Sequence, residues 1–318
     1  MLRIALPSKG RLAEDARTLF ADAGLEVRSP GNRALVASLG GEFEAIFVRA
    51  QDIPEFVADG AADAGITGLD LIRESERELD ELLDLEFGAC RLVVAARAES
   101  GVTSLATLTG VPRVATVFPR LTRHFFEKAG REVIVVPVSG AAEIAPHLGI
   151  ADIIVDLTSS GSTMRVHDLR EIAMVMESSA RLITAVRPGS SRAADGSAQG
   201  RESLGVGAPE RSSTSGARDA ASDDRACAIS ELAAALESVI RARGKRYVMA
   251  NVPRNALDRV KRVLPGLNGP TVIDLLNGGT HVAVHAVVPQ RSIYRTIADL
   301  KMLGGEGILV TRIERLMP

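Results

Sequence analysis

Short apolar runs alternate with helical spacing along most of this 318-residue chain. Leu2–Leu6 reads as a strand. Arg11–Ala23 reads as a helix, because Leu12, Ala16, Leu19, Phe20 and Ala23 fall on one face and Gly24 stands where a helix ends. Strands are predicted at Glu44–Val48 and Asp63–Ile66, with a helix at Asp52–Asp59 between them. Arg91–Ala96, Arg113–Val117, Val133–Val138 and Asp152–Val155 continue the strand series, and helices are predicted at Leu121–Ala129 and Ala141–Leu148. Alternation of this kind predicts an α/β fold of parallel sheets covered by helices on both faces.

One pattern occurs twice. Gly60-Ala61-Ala62-Asp63 leads into an apolar strand that leaves through Thr67-Gly68, and Gly149-Ile150-Ala151-Asp152 leads into one that leaves through a Ser/Gly turn. Two equivalent units suggest two similar lobes, and a cleft between lobes is a favoured ligand site. The final 75 residues or so read strand (Arg246–Asn251), helix (Arg254–Leu264), strand (Thr271–Leu276), strand (His281–Val288), helix (Arg291–Leu303), strand (Gly307–Ile313). That βαββαβ order is a ferredoxin-like unit, with Asn277-Gly278-Gly279 as its hairpin turn. Between the lobes and this unit, Pro188–Arg225 is mostly Ser, Gly, Ala and charge, with Leu204 and Val206 as its only larger apolar residues. It is expected to be a disordered insertion, because it has too little apolar surface to offset ordering entropy. Cys227–Arg243 then reads as a helix ending at Gly244.

Composition narrows the function classes. Aromatic residues make up 3% and Trp is absent, so a base-stacking surface is unexpected and no nucleic-acid partner is predicted. The net charge of −2 leaves phosphate binding to local groups. No apolar stretch approaches the roughly 18 residues of a membrane span, and the first apolar run is too short for a signal peptide, so a cytoplasmic location is expected. Two cysteines make no disulfide framework and no zinc cluster; Cys90 reads as a small buried hydrophobe.

The most informative constellation is Ile150–Leu169. An apolar strand ends at Asp156, then Leu157-Thr158-Ser159-Ser160-Gly161-Ser162-Thr163 follow, with a helix expected to start near Thr163. Hydroxyls, backbone N–H groups and a helix start form an anion site, and an acid just before such a loop suits ribose hydroxyls. An ordinary Ser/Gly turn is the alternative. Lys9 and Arg11 after the first strand suit polyphosphate, or are two solvated charges at a helix start. Arg49 with Asp52, and Gly68 with Asp70, follow strands in the same way; Asp70 would also serve as a helix N-cap. No hydrolase elbow, HExxH or Cys/His nucleophile pair is present.

Together "LRIALPSKGRL", "VRAQDIPEFVADGAADAGITGLDLI", "RVATVFPRLTRHFF", "EIAPHLGIADIIVDLTSSGSTM", "LPGLNGPTV" and "LGGEGILV" resemble ATP phosphoribosyltransferase of the long, self-regulated form. The resemblance covers nearly the whole chain except Pro188–Arg225. It implies two lobes of the periplasmic-binding-protein type (type II) and a ferredoxin-like, ACT-like regulatory domain. The divisions would be 1–89 with 181–243 for the first lobe (188–225 being the insertion), 90–180 for the second and 244–318 for the regulatory domain. It also implies a pentosyltransferase that joins ATP to phosphoribosyl pyrophosphate with Mg2+, is inhibited by histidine, and forms dimers and hexamers.

Carried onto this sequence, the resemblance places Asp156, Thr158, Ser159, Ser160, Gly161, Ser162 and Thr163 on phosphoribosyl pyrophosphate, with Glu143 and Asp152 lining or supporting that site. Lys9, Arg11, Arg49, Gly68 and Asp70 would face ATP or pyrophosphate, and Lys9, Arg49 and Asp156 would be catalytic. Leu267, Thr271, Val287 and Gly307 would hold histidine. The metal ligands are not assigned. Phe118 stands where the family often has Tyr. The rival readings are a two-lobed small-molecule binding protein and a catalytically idle regulatory paralogue.

Overall fold

The computed structural model describes residues 1–28, 34–186, 215–276 and 279–317, with residues 215–222 described by backbone alone. The chain runs β1 (Leu2–Pro7), α1 (Arg11–Asp22), β2 (Val27–Arg28), β3 (Val36–Leu39), β4 (Phe43–Val48), α2 (Ile53–Ala58), β5 (Ala64–Gly68), α3 (Leu69–Ser75) and β6 (Leu79–Asp84). It continues with β7 (Cys90–Arg97), β8 (Arg113–Thr116), α4 (Pro119–Lys128), β9 (Ile134–Pro137), β10 (Ile153–Thr158), α5 (Ser162–Val166), β11 (Leu169–Ser178) and β12 (Ala180–Ala185). Last come α6 (Ser215–Ala242), β13 (Lys245–Pro253), α7 (Leu257–Val263), β14 (Thr271–Asp274), β15 (His281–Pro289), α8 (Ile293–Met302) and β16 (Glu306–Arg312).

The chain divides into two compact units, Met1–Ala233 and Ala234–Pro318. In the first unit, one seven-stranded sheet has the order β2-β3-β4-β1-β5-β12-β6, and a five-stranded sheet has the order β11-β7-β10-β8-β9. Strands β4, β1 and β5 are parallel, as are β10, β8 and β9. The sheets are mixed rather than all-parallel, because β3 and β12 in the first and β7 in the second run antiparallel to their neighbours. The central strands are apolar on both faces: all of Ala64–Gly68 is buried, as are Leu92–Ala96 and Ile153–Val155. Ala5, Ile53, Val57, Ile72 and Ile183 form one core, while Leu92, Val94, Val114, Phe126 and Val155 form another.

The repeated Gly-x-Ala-Asp pattern has one structural meaning in both places. The Arg3 N–H donates to Asp63 Oδ2 at 2.8 Å, and the Asp63 N–H donates to the Arg3 carbonyl at 2.9 Å. The Arg113 N–H donates to Asp152 Oδ2 at 2.8 Å, and the Asp152 N–H donates to the Arg113 carbonyl at 2.9 Å. Each aspartate therefore braces the entrance of a strand to the start of its parallel neighbour. The chain passes from the first sheet to the second between Leu85 and Cys90 and returns between Ser178 and Ala180. These two crossings are bonded side by side, Leu85 N–H to the Ala180 carbonyl at 3.0 Å and Ala180 N–H to the Phe87 carbonyl at 2.9 Å.

The second unit holds a four-stranded antiparallel sheet in the order β14-β15-β13-β16, with α7 and α8 on one face. With βαββαβ succession this is the ferredoxin-like arrangement. Alternation is strict: Val248, Ala250 and Val252, with Val282, Val284 and Ala286, are buried under Val260, Leu264 and Leu300.

Several expectations change. The segment Ala141–Leu148 forms only a 3-10 turn at Ala142–Ile144, since Pro146 cannot continue a helix and Ala141 is left-handed. Residues 215–225 lie in α6, so the insertion's last part is helical rather than disordered, in keeping with the helix propensity of its alanines. The rest of the insertion up to residue 214, and the turn residues Asn277 and Gly278, lie outside the described residues. Strands β2, β3, β6, β11 and β12 have no counterpart in the sequence reading, and the helix expected after Asp70 starts at Leu69 with Gly68 as its N-cap, so Asp70 lies inside its first turn. Leu79–Asp84 and Leu169–Ser178 carry charges on half-exposed strands, and β11 has two register irregularities, so neither shows a clean period of two.

Candidate functional site

The parallel strands of the first sheet end together. Pro7 pairs with Val48, and the Ser8 N–H donates to the Val48 carbonyl at 2.8 Å, so the residues after β1 and β4 are neighbours. Lys9 and Arg49 both stand exposed on this edge, and Arg11, also exposed, opens α1 behind a left-handed Gly10. Thr67 at the end of β5 donates its hydroxyl to the Ala50 carbonyl at 2.7 Å, which ties a third strand end to the Arg49 turn. A cleft of about 560 Å3 opens here; Arg49 and Asp52 line it from this side, Phe118 and Ser139 from the ends of β8 and β9. Carboxyl ends of parallel strands from both sheets therefore meet at one cleft, the usual position for ligands in α/β sheets.

The hydroxyl-rich loop follows β10 on the same edge of the second sheet. The strand runs to Thr158, three residues beyond the predicted Val155, so Asp156, Leu157 and Thr158 are strand residues and the turn itself is Ser159–Gly161. Buried Thr158 accepts the Gly161 N–H on its hydroxyl at 2.9 Å, and Ser160 and Ser162 hydroxyls are 2.9 Å apart. Gly161 is left-handed at φ 71° and leads into α5, with Ser159, Ser160, Ser162 and Thr163 exposed. The exposed hydroxyls fit an anion, while the Gly161 and Ser162 N–H groups are directed at the Thr158 and Ser160 hydroxyls. Asp156 is half-buried and accepts the Leu157 N–H at 2.8 Å. Burial pushes its carboxyl above the usual range, and the nearby Glu143 carboxylate adds to that. Glu143, on the 3-10 turn Ala142–Ile144, is therefore brought into electrostatic reach of Asp156.

Four expected residues sit differently. Asp152 is at the opposite end of β10 from the loop, roughly 20 Å away at about 3.3 Å per residue. Its carboxylate is occupied by the Arg113 N–H, so it supports the sheet and does not line the phosphate loop. Asp70 is buried: its carboxylate accepts the Ser178 hydroxyl, and Ser178 accepts the Asp70 N–H at 3.1 Å. Burial pushes Asp70 up, against these bonds. Gly68 leaves room for that carboxylate rather than for a ligand, because a Cβ there would lie 2.3 Å from Asp70 Oδ1. Cys90 is half-buried rather than core, pairs across the strand with Ser178, and its thiol is pushed up by burial and by Asp70.

In the second unit, Thr271 pairs with His285 and Val287 with Tyr247, and the Tyr247 hydroxyl is 2.9 Å from His285 Nδ1. These four share the sheet face away from the helices. Gly307 lies on β16, three strands from Thr271, or about 14 Å at 4.8 Å per strand, and Leu267 is exposed before β14. The structure groups Thr271 with Val287 and leaves Gly307 and Leu267 apart. His147 donates its Nε2–H to the His167 carbonyl at 2.8 Å. Among the described residues no cluster of three or more His, Cys, Asp or Glu forms a metal cage.

Sequence reading missed Glu74 and Arg120, which join α3 to α4 across the cleft wall. Charged residues on short helices carry no signal of that kind in one sequence, since most are solvated.

The ATP phosphoribosyltransferase family profile matches residues 49–195, and that of the HisG C-terminal domain matches residues 242–315. An ATP phosphoribosyltransferase of Gemmatimonas aurantiaca is 63% identical over 100% of both chains. The chain belongs to the ATP phosphoribosyltransferase family. Another family member, from Natronomonas pharaonis, is 44% identical, again over 100% of both chains. Among solved structures, a chain of the HisG:HisZ ATP phosphoribosyl transferase complex from Thermotoga maritima matches with a TM-score of 0.52 at 28% identity. That match covers 58% of this chain and 87% of the other. Among the described residues no helix is long and apolar enough to cross a membrane.

Proposed function

We propose that the cleft joins ATP to 5-phosphoribosyl 1-pyrophosphate, giving N1-(5-phosphoribosyl)-ATP and pyrophosphate, the first step of L-histidine biosynthesis. The observation that carries the site assignment is the placement of Asp156 and Glu143 beside the hydroxyl-rich Ser159–Thr163 turn, on an edge shared by the second sheet's parallel strands. In this reading the turn holds the 5′-phosphate through hydroxyls and backbone N–H groups, and Asp156 holds ribose hydroxyls. Lys9, Arg11 and Arg49 meet the polyphosphates of ATP and the pyrophosphate. Adenine N1 attacks ribose C1 with its own lone pair as the C1–O bond to pyrophosphate breaks, so no strong protein base is required. Positioning of two polyanions is the main task, which agrees with the absence of a nucleophile motif.

Two nearby half-buried carboxylates, Glu143 and Asp156, fit a divalent cation that keeps most of its water, as Mg2+ does. When bound, it would neutralise charge on the leaving pyrophosphate. The second unit is read as a histidine-responsive regulatory domain using the Thr271 and Val287 face, with Leu267 and Gly307 reaching that ligand only through an assembled oligomer. Assembly as dimers and hexamers and a cytoplasmic location complete the reading.

The test is to incubate the protein with ATP, phosphoribosyl pyrophosphate and Mg2+ and follow product absorbance, with and without histidine. Turnover inhibited by histidine is expected. No turnover under either condition would return the chain to a binding or regulatory role.

A further inference from the structure

Helices α3 and α4 follow strands of different sheets; α3 closes the Ile72 and Arg73 carbonyls itself, through the Ser75 hydroxyl and the Glu76 N–H, and leaves those of Glu74 and Ser75 to α4. Helix α4 starts from Phe118 and Pro119 with no side-chain cap of its own. Its first donors are taken by Glu74 of α3: Arg120 N–H reaches Oε1 at 3.0 Å, and Leu121 N–H reaches Oε2 at 2.9 Å. In return, Arg120 Nη1 donates to the last carbonyls of α3, Glu74 and Ser75, at 3.0 Å each. Glu76, the left-handed residue that ends α3, lies 3.5 Å from Arg120 Nε and 3.4 Å from His124 Nε2. Helix ends need such partners for their orphan N–H and C=O groups. Here Glu74 caps the start of α4, and Arg120 caps the last two carbonyls of α3. Glu74, Ser75, Arg120 and Phe118 also line the 560 Å3 cleft beside Arg49.

We propose that Glu74 and Arg120 are a reciprocal positioning pair that holds the cleft walls in their reactive spacing. Moving the two sheets apart uncaps α3 and α4 together, so the shut state is favoured before substrate arrives. Apparent affinity scales with the fraction of molecules already shut. Loss of the pair therefore raises KM, and leaves the chemistry of molecules that substrates have closed largely unchanged. This inference rests on the proposed reaction for its kinetic arm alone.

The experiment compares wild type with Glu74→Ala, Glu74→Gln, Arg120→Ala and the Glu74→Ala/Arg120→Ala double variant. Steady-state kinetics for both substrates is paired with hydrogen exchange at the Leu121 amide. A tenfold smaller shut fraction predicts an approximately tenfold rise in both KM values, with kcat within about threefold. Glu74→Gln, which keeps one accepting oxygen, should fall between wild type and Glu74→Ala. The double variant should be no worse than the more severe single variant, because either loss opens the same pair. Leu121 exchange should quicken in Arg120→Ala as well as in Glu74→Ala, although Arg120's side chain does not touch that amide. Unchanged KM values with a loosened α4 would show a purely structural cap and overturn the proposal, as would multiplying single effects. If wild type showed no turnover, the reaction reading would fall. The exchange arm would still decide the pair: faster Leu121 exchange in Arg120→Ala supports it, and unchanged exchange there overturns it.

Discussion

The two Gly-x-Ala-Asp strands begin alike and end differently. Asp63 and Asp152 make the same pair of bonds to a residue at the start of the neighbouring strand, Arg3 and Arg113. At the far end, β5 closes on itself: Gly68 is buried, Asp70 fills the space beside it, and Ser178 from the other sheet completes the pair. Strand β10 instead ends in exposed hydroxyls and a half-buried, electrostatically burdened Asp156. Strand entrances in this fold hold the sheet, and strand exits are where the two lobes differ, one closing an internal joint and the other presenting the candidate anion site. A motif echo in sequence thus marks the shared scaffold, and the candidate site lies just beyond it.

The largest expected effect is at the open exit. Asp156→Ala should lower kcat/KM for phosphoribosyl pyrophosphate by about 100-fold, the scale of losing charge-assisted bonds to substrate, while ATP binding stays near wild type. Normal kinetics would remove Asp156 from the site.

The closed exit gives the next effect. Gly68→Ala forces a Cβ to within 2.3 Å of Asp70 Oδ1 and should cost about 1–3 kcal/mol in a urea melt. Gly161→Ala has more room, with Arg165 Nη1 at 3.4 Å, and should cost only about 1 kcal/mol, for its left-handed backbone. The reverse order would mean that the two exits have been assigned wrongly.

At the shared entrances, Asp63→Ala and Asp152→Ala should each cost roughly 1 kcal/mol, with half-buried Asp63 the larger, and neither should change KM more than about twofold. A selective rise in the KM for phosphoribosyl pyrophosphate in Asp152→Ala would put that residue back in the site.

The smallest effect concerns pH. Burial and Glu143 hold the folded-state pKa of Asp156 above its unfolded value, so ionisation penalises the fold. That penalty is absent below the unfolded pKa and is fully present once pH has risen through the folded one. Asp156→Asn should therefore be more stable than wild type at neutral pH, with the gain shrinking as pH falls through the carboxylate range. A gain that grew on acidification would contradict the burial argument.

Much of the fold was readable because burial imposes a period. The ferredoxin-like unit alternates so strictly along β13 and β15 that its six elements could be placed from sequence. The candidate loop was readable because seven small or turn-compatible residues after an apolar strand are uncommon. Other features depend on distant partners. Asp152 looked like part of the loop's motif, yet its carboxylate answers an N–H 39 residues earlier in the chain. Asp70 looked available until Ser178, 108 residues on, was seen to hold it. Such pairings leave no local trace, because either partner alone is an ordinary polar residue beside a turn.

The paired crossings at Leu85–Cys90 and Ser178–Ala180 have a consequence for how such a chain changes over evolutionary time. They make the second sheet an insert whose two ends touch, bonded through Leu85, Phe87 and Ala180. A recombination that swaps this insert needs only two junctions, at points that lie side by side in the fold, and leaves the host sheet's strand order intact. A cassette of that kind can be exchanged or retuned for a new ligand while the edge bearing Lys9 and Arg49 stays as it was.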